Sequence, residues 1–194
     1  MFHALSPQEI LFCFALQSEA ADVFEGQNVL FTGIGKVQAA YALTKAIAQQ
    51  RPKLIINLGT VGSTHFPKGT VVHCTQFVQR DMDVRGLGFA LYETPLAGVP
   101  VVLEYGEPFA GLPHAVCGTG DSFEMEHAES LYTVVDMEAY ALAYIAQQEN
   151  IPFLCLKYIS DGADDNAATD WTEQVHKAAE AYGKFLFGDR SLKL

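Results

Sequence analysis

The sequence predicts a single three-layer α/β/α sandwich on a central mixed, mostly parallel sheet. Three observations lead there: short apolar runs without clean alternation, three stretches of helical periodicity, and a regular alternation of the two along 194 residues. Strands covered on both faces read as near-continuous apolar runs, whereas a sheet wet on one side alternates apolar with polar. A chain of this length forms one sizeable core, so residues 1–194 are read as one domain.

The strand-like runs, rich in Val, Ile, Leu and Phe, are Ile10 to Leu16, Val29 to Thr32, Leu54 to Leu58, Thr70 to Val78, Val99 to Leu103, His114 to Cys117 and Phe153 to Ile159. Between the second and third runs, Val37 to Gln50 places Val37, Ala40, Tyr41, Thr44, Ile47 and Ala48 on one stripe and stops before Pro52, which predicts a helix. A second helix is predicted from near Asp136, with Met137, Tyr140, Ala141, Tyr144 and Ile145 at spacings of three and four, ending before Asn150 and Pro152. A third has Asp170 as N-cap with Glu173 three residues on, followed by Val175, Ala178, Ala179, Tyr182 and Leu186. In open α/β sheets, ligands bind beyond the carboxyl ends of the strands.

Composition narrows the partners. Hydrophobic residues at 49% and charged ones at 18% belong to a compact globular protein. A formal charge of −11 and a pI near 4.8 repel phosphate backbones and anionic lipid, and no Lys/Arg cluster reverses that locally, so neither nucleic acid nor a membrane is an expected partner. The longest early apolar run, "ILFCFAL", is far too short to span a bilayer and follows Glu9 where a signal peptide would carry positive charge; the expected location is the cytoplasm. Cys13, Cys74, Cys117 and Cys155 are widely separated in apolar stretches and read as small hydrophobes rather than disulfide partners. The six histidines form no H-x-x-x-H and pair with no C-x-x-C, so no metal site is expected.

Several short motifs carry polar groups that the residues alone leave open to two readings. "FTGIGKVQAA" and "IINLGTVGS" put Gly33, Gly35, Gly59 and Gly62 in loops after strands, either as tight turns or as backbone that approaches a ligand; neither matches a standard nucleotide motif. In "VVDMEAYALA", Asp136 caps and Glu138 complements a helix dipole for up to ~1 kcal/mol, or Glu138 faces a ligand. Glu19 is a solvated first-turn carboxylate or a reacting group. In "FLCLKYISDGADD", a run of large apolar residues ends in Ser160-Asp161, and Asp161 is a turn residue or a proton donor over a pocket.

Taken in order, "GIGKV", "IINLGTVGS", "RDMDV", "GTGDSF", "VDMEA" and "YISDGADD" resemble the nucleoside phosphorylase and nucleosidase superfamily, and within it most closely the 5'-methylthioadenosine/S-adenosylhomocysteine nucleosidases. The resemblance spans roughly Ile10 to Leu186 and implies the phosphorylase/hydrolase-like sandwich. It implies that Glu19 activates water, Asp161 donates a proton to purine N7 with Ser160 orienting it, and Glu138 holds the ribose hydroxyls with Met137 against the sugar. It implies that Phe123 stacks on the base, that Thr60 helps place the water, and that Ile34, between the glycines of the first loop, touches substrate. Lys157 stands where many members have Arg and is expected to anchor Glu19 or the water. Leu87, Phe89 and Pro95 in "RGLGFALYETP" correspond to residues that cross into a neighbouring subunit, which implies a homodimer.

The chemistry requires such a set. Adenine is a poor leaving anion, so an acid that protonates N7 lowers the barrier, commonly by ~10² to 10⁴-fold. Asp161 must then be protonated when substrate arrives and Glu19 ionised. Phosphorylases of the superfamily hold phosphate with an Arg in the first loop, but no Arg occurs before Arg51 and the corresponding stretch reads "LQSEAADVF". The expectation is therefore a cofactor-free hydrolase of 5'-modified adenosines. A phosphate-dependent phosphorylase, a hydrolase of another purine nucleoside such as futalosine, and a non-catalytic nucleoside-binding relative are the alternatives. Two departures from the family are a shorter passage between Glu19 and "GIGKV", and Thr60 in place of Ser.

Overall fold

The computed structural model describes residues 5–122, 131–162 and 167–188. Eight strands form one sheet: β1 (Ile10–Phe14), β2 (Val29–Phe31), β3 (Leu54–Gly62), β4 (Val71–Gln79), β5 (Val102–Glu104), β6 (His114–Thr119), β7 (Val134–Asp136) and β8 (Phe153–Asp161). The order is β2-β1-β3-β7-β6-β4-β5, with β8 paired to both β3 and β4. Five pairings are parallel, while β3–β7, β4–β5 and β4–β8 are antiparallel. Because β8 bridges β3 and β4, the strands β3, β8, β4, β6 and β7 close on themselves and bring their ends around one point.

Period-two burial makes the layers. Along β1, Leu11 and Cys13 join one core while Ile10, Phe12 and Phe14 join the other; β3 splits Ile55 from Leu54, Ile56 and Leu58 in the same way. Helices α2 (Lys36–Gln49) and α3 (Ala139–Gln148) cover the first face through Ala39, Leu43, Ile47 and Leu142. The short α1 (Gln17–Ala20) and long α4 (Ala167–Phe187) cover the second through Ala20, Ala178 and Tyr182. Both faces are apolar, which is why the strands show no alternation of apolar with polar; each fully buried Leu, Ile or Phe contributes roughly 1.5–3 kcal/mol. Among the described residues no helix is long and apolar enough to cross a membrane.

The structure corrects the sequence reading at several elements. The glycines of "LGTVG" are not a loop: β3 runs through Gly62, four residues past Leu58, and β8 runs through Asp161. β5 occupies Val102–Glu104 rather than Val99 to Leu103. Asp136 ends β7, a three-residue strand too short to stand out as an apolar run, and α3 begins only at Ala139. On α2 the buried stripe is Ala39, Leu43 and Ile47, whereas Val37 and Tyr41 are 78% and 69% exposed; a stripe drawn one residue off rotates the face by about 100°. Helix α4 starts at Ala167, so Asp170 is inside it and not its cap.

Candidate active site

A cavity of about 240 Å³ opens at the carboxyl ends of β1, β3, β7 and β8, small enough to suit one small molecule and not a polymer. Glu19, Thr60, Met137, Glu138, Ser160 and Asp161 all line it, and so does Ile34 from the loop after β2. The parallel pairing of β1 with β3 and of β3 with β8 sets these ends side by side.

Glu19 is 4% exposed, not a solvated first-turn carboxylate. Its Oε1 accepts hydrogen bonds from the Thr60 amide and hydroxyl, both at 3.0 Å, and its Oε2 accepts from the Leu16 amide at 3.1 Å. Three donors converge on a group that, when ionised, only accepts. Gly59 makes room for this: a Cβ there would lie 3.3 Å from Glu19 Oε1 and 3.5 Å from Lys157 Nζ. The glycine inside a strand therefore marks a close approach rather than a turn.

Glu138 is 8% exposed and its Oε1 accepts from the Gly35 amide at 2.8 Å. Gly35 sits at φ +92°, a conformation glycine adopts without strain, and this aims its amide at the carboxylate while the next amide, of Lys36, donates to Asp121 Oδ1 at 2.7 Å. Lys36 also pairs with Asp81, tying the start of α2 to the loop after β4. Burial, reinforced by the nearby Asp136 carboxylate and by Glu19, pushes the Glu138 carboxyl up to about 8, with Lys157 and the Gly35 amide opposing.

Lys157 does not anchor Glu19. It is 2% exposed and its Nζ donates to Asp136 Oδ2 at 2.9 Å, below the cavity rather than in its wall. Burial works against the ammonium, but the Asp136 carboxylate, with Cys155, Cys117 and Glu138, outweighs it and holds Lys157 well above its ordinary value. Asp136 is likewise opposed by burial and rescued by Lys157, by the Thr119 hydroxyl at 2.6 Å and by the Ala139 amide at 2.8 Å, which leave it below its usual range. Asp136 thus accepts from the α3 amide as a cap while serving as counter-ion, and Glu138, whose side chain caps nothing, is free to face the cavity.

Asp161 is 4% exposed at the end of β8, and Ser160 Oγ donates to its Oδ2 at 2.7 Å. The residue is strand, so the turn reading of Asp161 does not apply. Trp171 and Arg80 are among the lining residues that the sequence reading did not assign to the site. Trp171 reaches the cavity from α4, and its Nε1 donates to Thr60 Oγ1 at 2.9 Å; Arg80 enters from beyond β4 and donates to Ser122 Oγ at 3.2 Å. A single Trp carries no local signal, although its uniqueness in the chain could have flagged it. Phe123 lies outside the described residues. Leu87 is exposed, Phe89 and Pro95 are half-buried, and none of the three lines the cavity within one chain.

A cavity lined by four buried carboxylates, Glu19, Asp136, Glu138 and Asp161, at strand ends of a partly closed mixed sheet, defines a small-molecule site of the phosphorylase-fold kind. The chain belongs to the Phosphorylase superfamily, whose family model matches residues 25–188, and within it to the 5'-methylthioadenosine/S-adenosylhomocysteine nucleosidases. The nucleosidase of that name from Marinomonas sp. (strain MWYL1) is 30% identical over 182 residues, 81% of this chain and 78% of the relative. That of Listeria monocytogenes serotype 4a (strain HCC23) is 34% identical over 176 residues, 78% and 76%. A futalosine hydrolase mutant from Helicobacter pylori superposes with a TM-score of 0.83 at 21% identity, covering 92% of this chain and 96% of that one. The 5'-methylthioadenosine/S-adenosylhomocysteine nucleosidase of the same organism, solved with butyl-thio-DADMe-Immucillin-A, gives 0.82 at 22%, covering 92% and 95%.

Proposed function

We propose that this protein is a purine nucleosidase that hydrolyses the N-glycosidic bond of 5'-modified adenosines, releasing adenine and a ribose derivative. The observation that carries the reading is that Glu19, Glu138 and Asp161, each at most 8% exposed, line one cavity. Asp161, oriented by Ser160, gives its proton to N7 as the glycosidic bond stretches. Glu138 accepts from the ribose hydroxyls and adds negative charge beside the developing oxocarbenium ion, with Met137 against the sugar and Ile34 at the rim. Glu19 takes a proton from the attacking water, which Thr60 helps to hold. Water is favoured over phosphate because the first two amides of the Gly35 turn are already bonded to Glu138 and Asp121, and Glu19 repels an anion at the place of attack.

Two further parts of this reading concern the setting. Leu87 and Leu96 are 76% and 96% exposed, and a chain segment bearing such side chains together with Phe89 and Pro95 suits burial against a second copy, so a homodimer in the cytoplasm is proposed; light scattering at the mass of one chain would remove the dimer. The activity is tested by following free-base release from 5'-methylthioadenosine, S-adenosylhomocysteine and futalosine in phosphate-free buffer. Adenine release without phosphate, lost by at least ~100-fold in Asp161→Asn, is the expected result. Release that needs phosphate and yields a ribose 1-phosphate would make the protein a phosphorylase, and binding without release a nucleoside-binding relative.

A further inference from the structure

A hydrogen-bond chain at the cavity reaches Glu19 from α4, which covers the same face of the sheet as α1. Trp171 Nε1 donates to Thr60 Oγ1 at 2.9 Å, and Thr60 Oγ1 donates to Glu19 Oε1 at 3.0 Å. An indole N–H is only a donor, and a hydroxyl has one proton and two lone pairs. With one lone pair filled by the indole, the Thr60 proton has a fixed direction, toward Glu19. The Thr60 amide already holds the same Oε1 and the Leu16 amide holds Oε2, so the carboxylate is fixed from three sides by one turn of α1 and one strand. Helix α4 in turn is tied to the same strand position by Tyr182, whose hydroxyl donates to the Gly59 carbonyl at 2.6 Å and accepts from the Gly59 amide at 3.2 Å. The helix that carries Trp171 is thereby held in register with Thr60.

We propose that Trp171 is a positioning residue for Glu19, acting through the Thr60 hydroxyl rather than by contact with the reacting atoms. This rests on the reading of Glu19 as the general base. Without the indole donor, the Thr60 hydroxyl is free to turn away, and Glu19 keeps only backbone donors and samples directions that do not face the attacked carbon. Binding of the nucleoside does not depend on the chain, because the ribose and base contacts lie on Glu138 and Asp161.

The test uses Trp171→Phe, which keeps a ring in the cavity wall and removes the N–H, together with Thr60→Val, which removes the hydroxyl at nearly constant shape. In Trp171→Phe, kcat is expected to fall by about 3- to 10-fold, the effect of one lost hydrogen bond, with KM within about twofold. On a Thr60→Val background the Trp171→Phe change should have no further effect. Additive losses, or a rise in KM with kcat unchanged, overturn the proposal and leave Trp171 a packing residue.

A second readout is independent of turnover. Trp171 is the only tryptophan, so a ¹H–¹⁵N spectrum contains one indole cross-peak. Thr60→Val should move it upfield and speed its exchange with water; an unmoved peak also overturns the proposal. If the wild-type protein releases no base from any nucleoside while the peak responds as described, it is the functional reading that fails, and the hydrogen-bond chain stands.

Discussion

Replacing Lys157 by Met removes a fully buried ammonium at little change of volume and leaves Asp136 buried without its counter-ion. The pair is 2.9 Å long with side chains 2% and 1% exposed. At an effective dielectric of ~20, its attraction is about 6 kcal/mol, and desolvation of the two ions offsets most of that. The pair as a whole therefore contributes little, but either ion left alone is expensive: the expected loss for Lys157→Met is about 3–5 kcal/mol. In a domain of this size each kcal/mol moves Tm by roughly 2–4 °C, so the midpoint should fall by about 6–20 °C. Urea unfolding measures it. The Asp136 carboxyl is held below its ordinary value in the folded state, so its contribution is present above the unfolded pKa and is lost as pH falls through the folded one. Without Lys157, burial dominates and raises that carboxyl, so the deficit of the variant should shrink between pH 7 and pH 4, where Asp136 takes up a proton. The double variant Asp136→Asn/Lys157→Met should recover most of the loss. A single variant within about 1 kcal/mol of wild type, or a double variant no better than the single, would refute the argument that an isolated buried charge is the penalty.

Other outcomes follow from the same geometry. Because burial and Asp136 raise Glu138 to about 8, the group favours the folded state in its neutral form, an effect present below its unfolded value and lost as pH rises through 8. Glu138→Gln should therefore gain stability relative to wild type as pH rises from 5 to 8, read by thermal melts across that range. Calorimetry in buffers of different ionisation enthalpy should find a proton released when a nucleoside binds wild type at pH 7, and none in Glu138→Gln. Gly59→Ala places a methyl 3.3 Å from Glu19 Oε1, so base release should fall by about 10-fold or more while Tm moves by only a few degrees; unchanged turnover would mean that Glu19 tolerates displacement.

The layers and the ordered motifs were legible in the chain because they depend on local pattern. Runs such as "ILFCF" and "FLCL" are apolar at every step since both faces of each strand are covered, and that property is visible one residue at a time. Element ends were less legible. Gly59 and Gly62 look like loop residues by propensity, yet both continue β3, and at Gly59 Glu19 and Lys157 approach the strand where a side chain would sit. The three residues of β7 were hidden beneath the start of a helix pattern, and the true stripe of α2 could not be told from its neighbour when both contain apolar residues.

The sequence by itself determined the architecture, the acidic and apolar character of the chain, and which carboxylates to watch: Glu19, Glu138 and Asp161. Tertiary structure alone decided how they are held. Lys157 belongs to Asp136 and not to Glu19, and Trp171 reaches across 111 positions to Thr60. Burial patterns arise from neighbours along one element, but the partner of a buried charge or donor is set by which strand ends converge in space, and no local spacing encodes that.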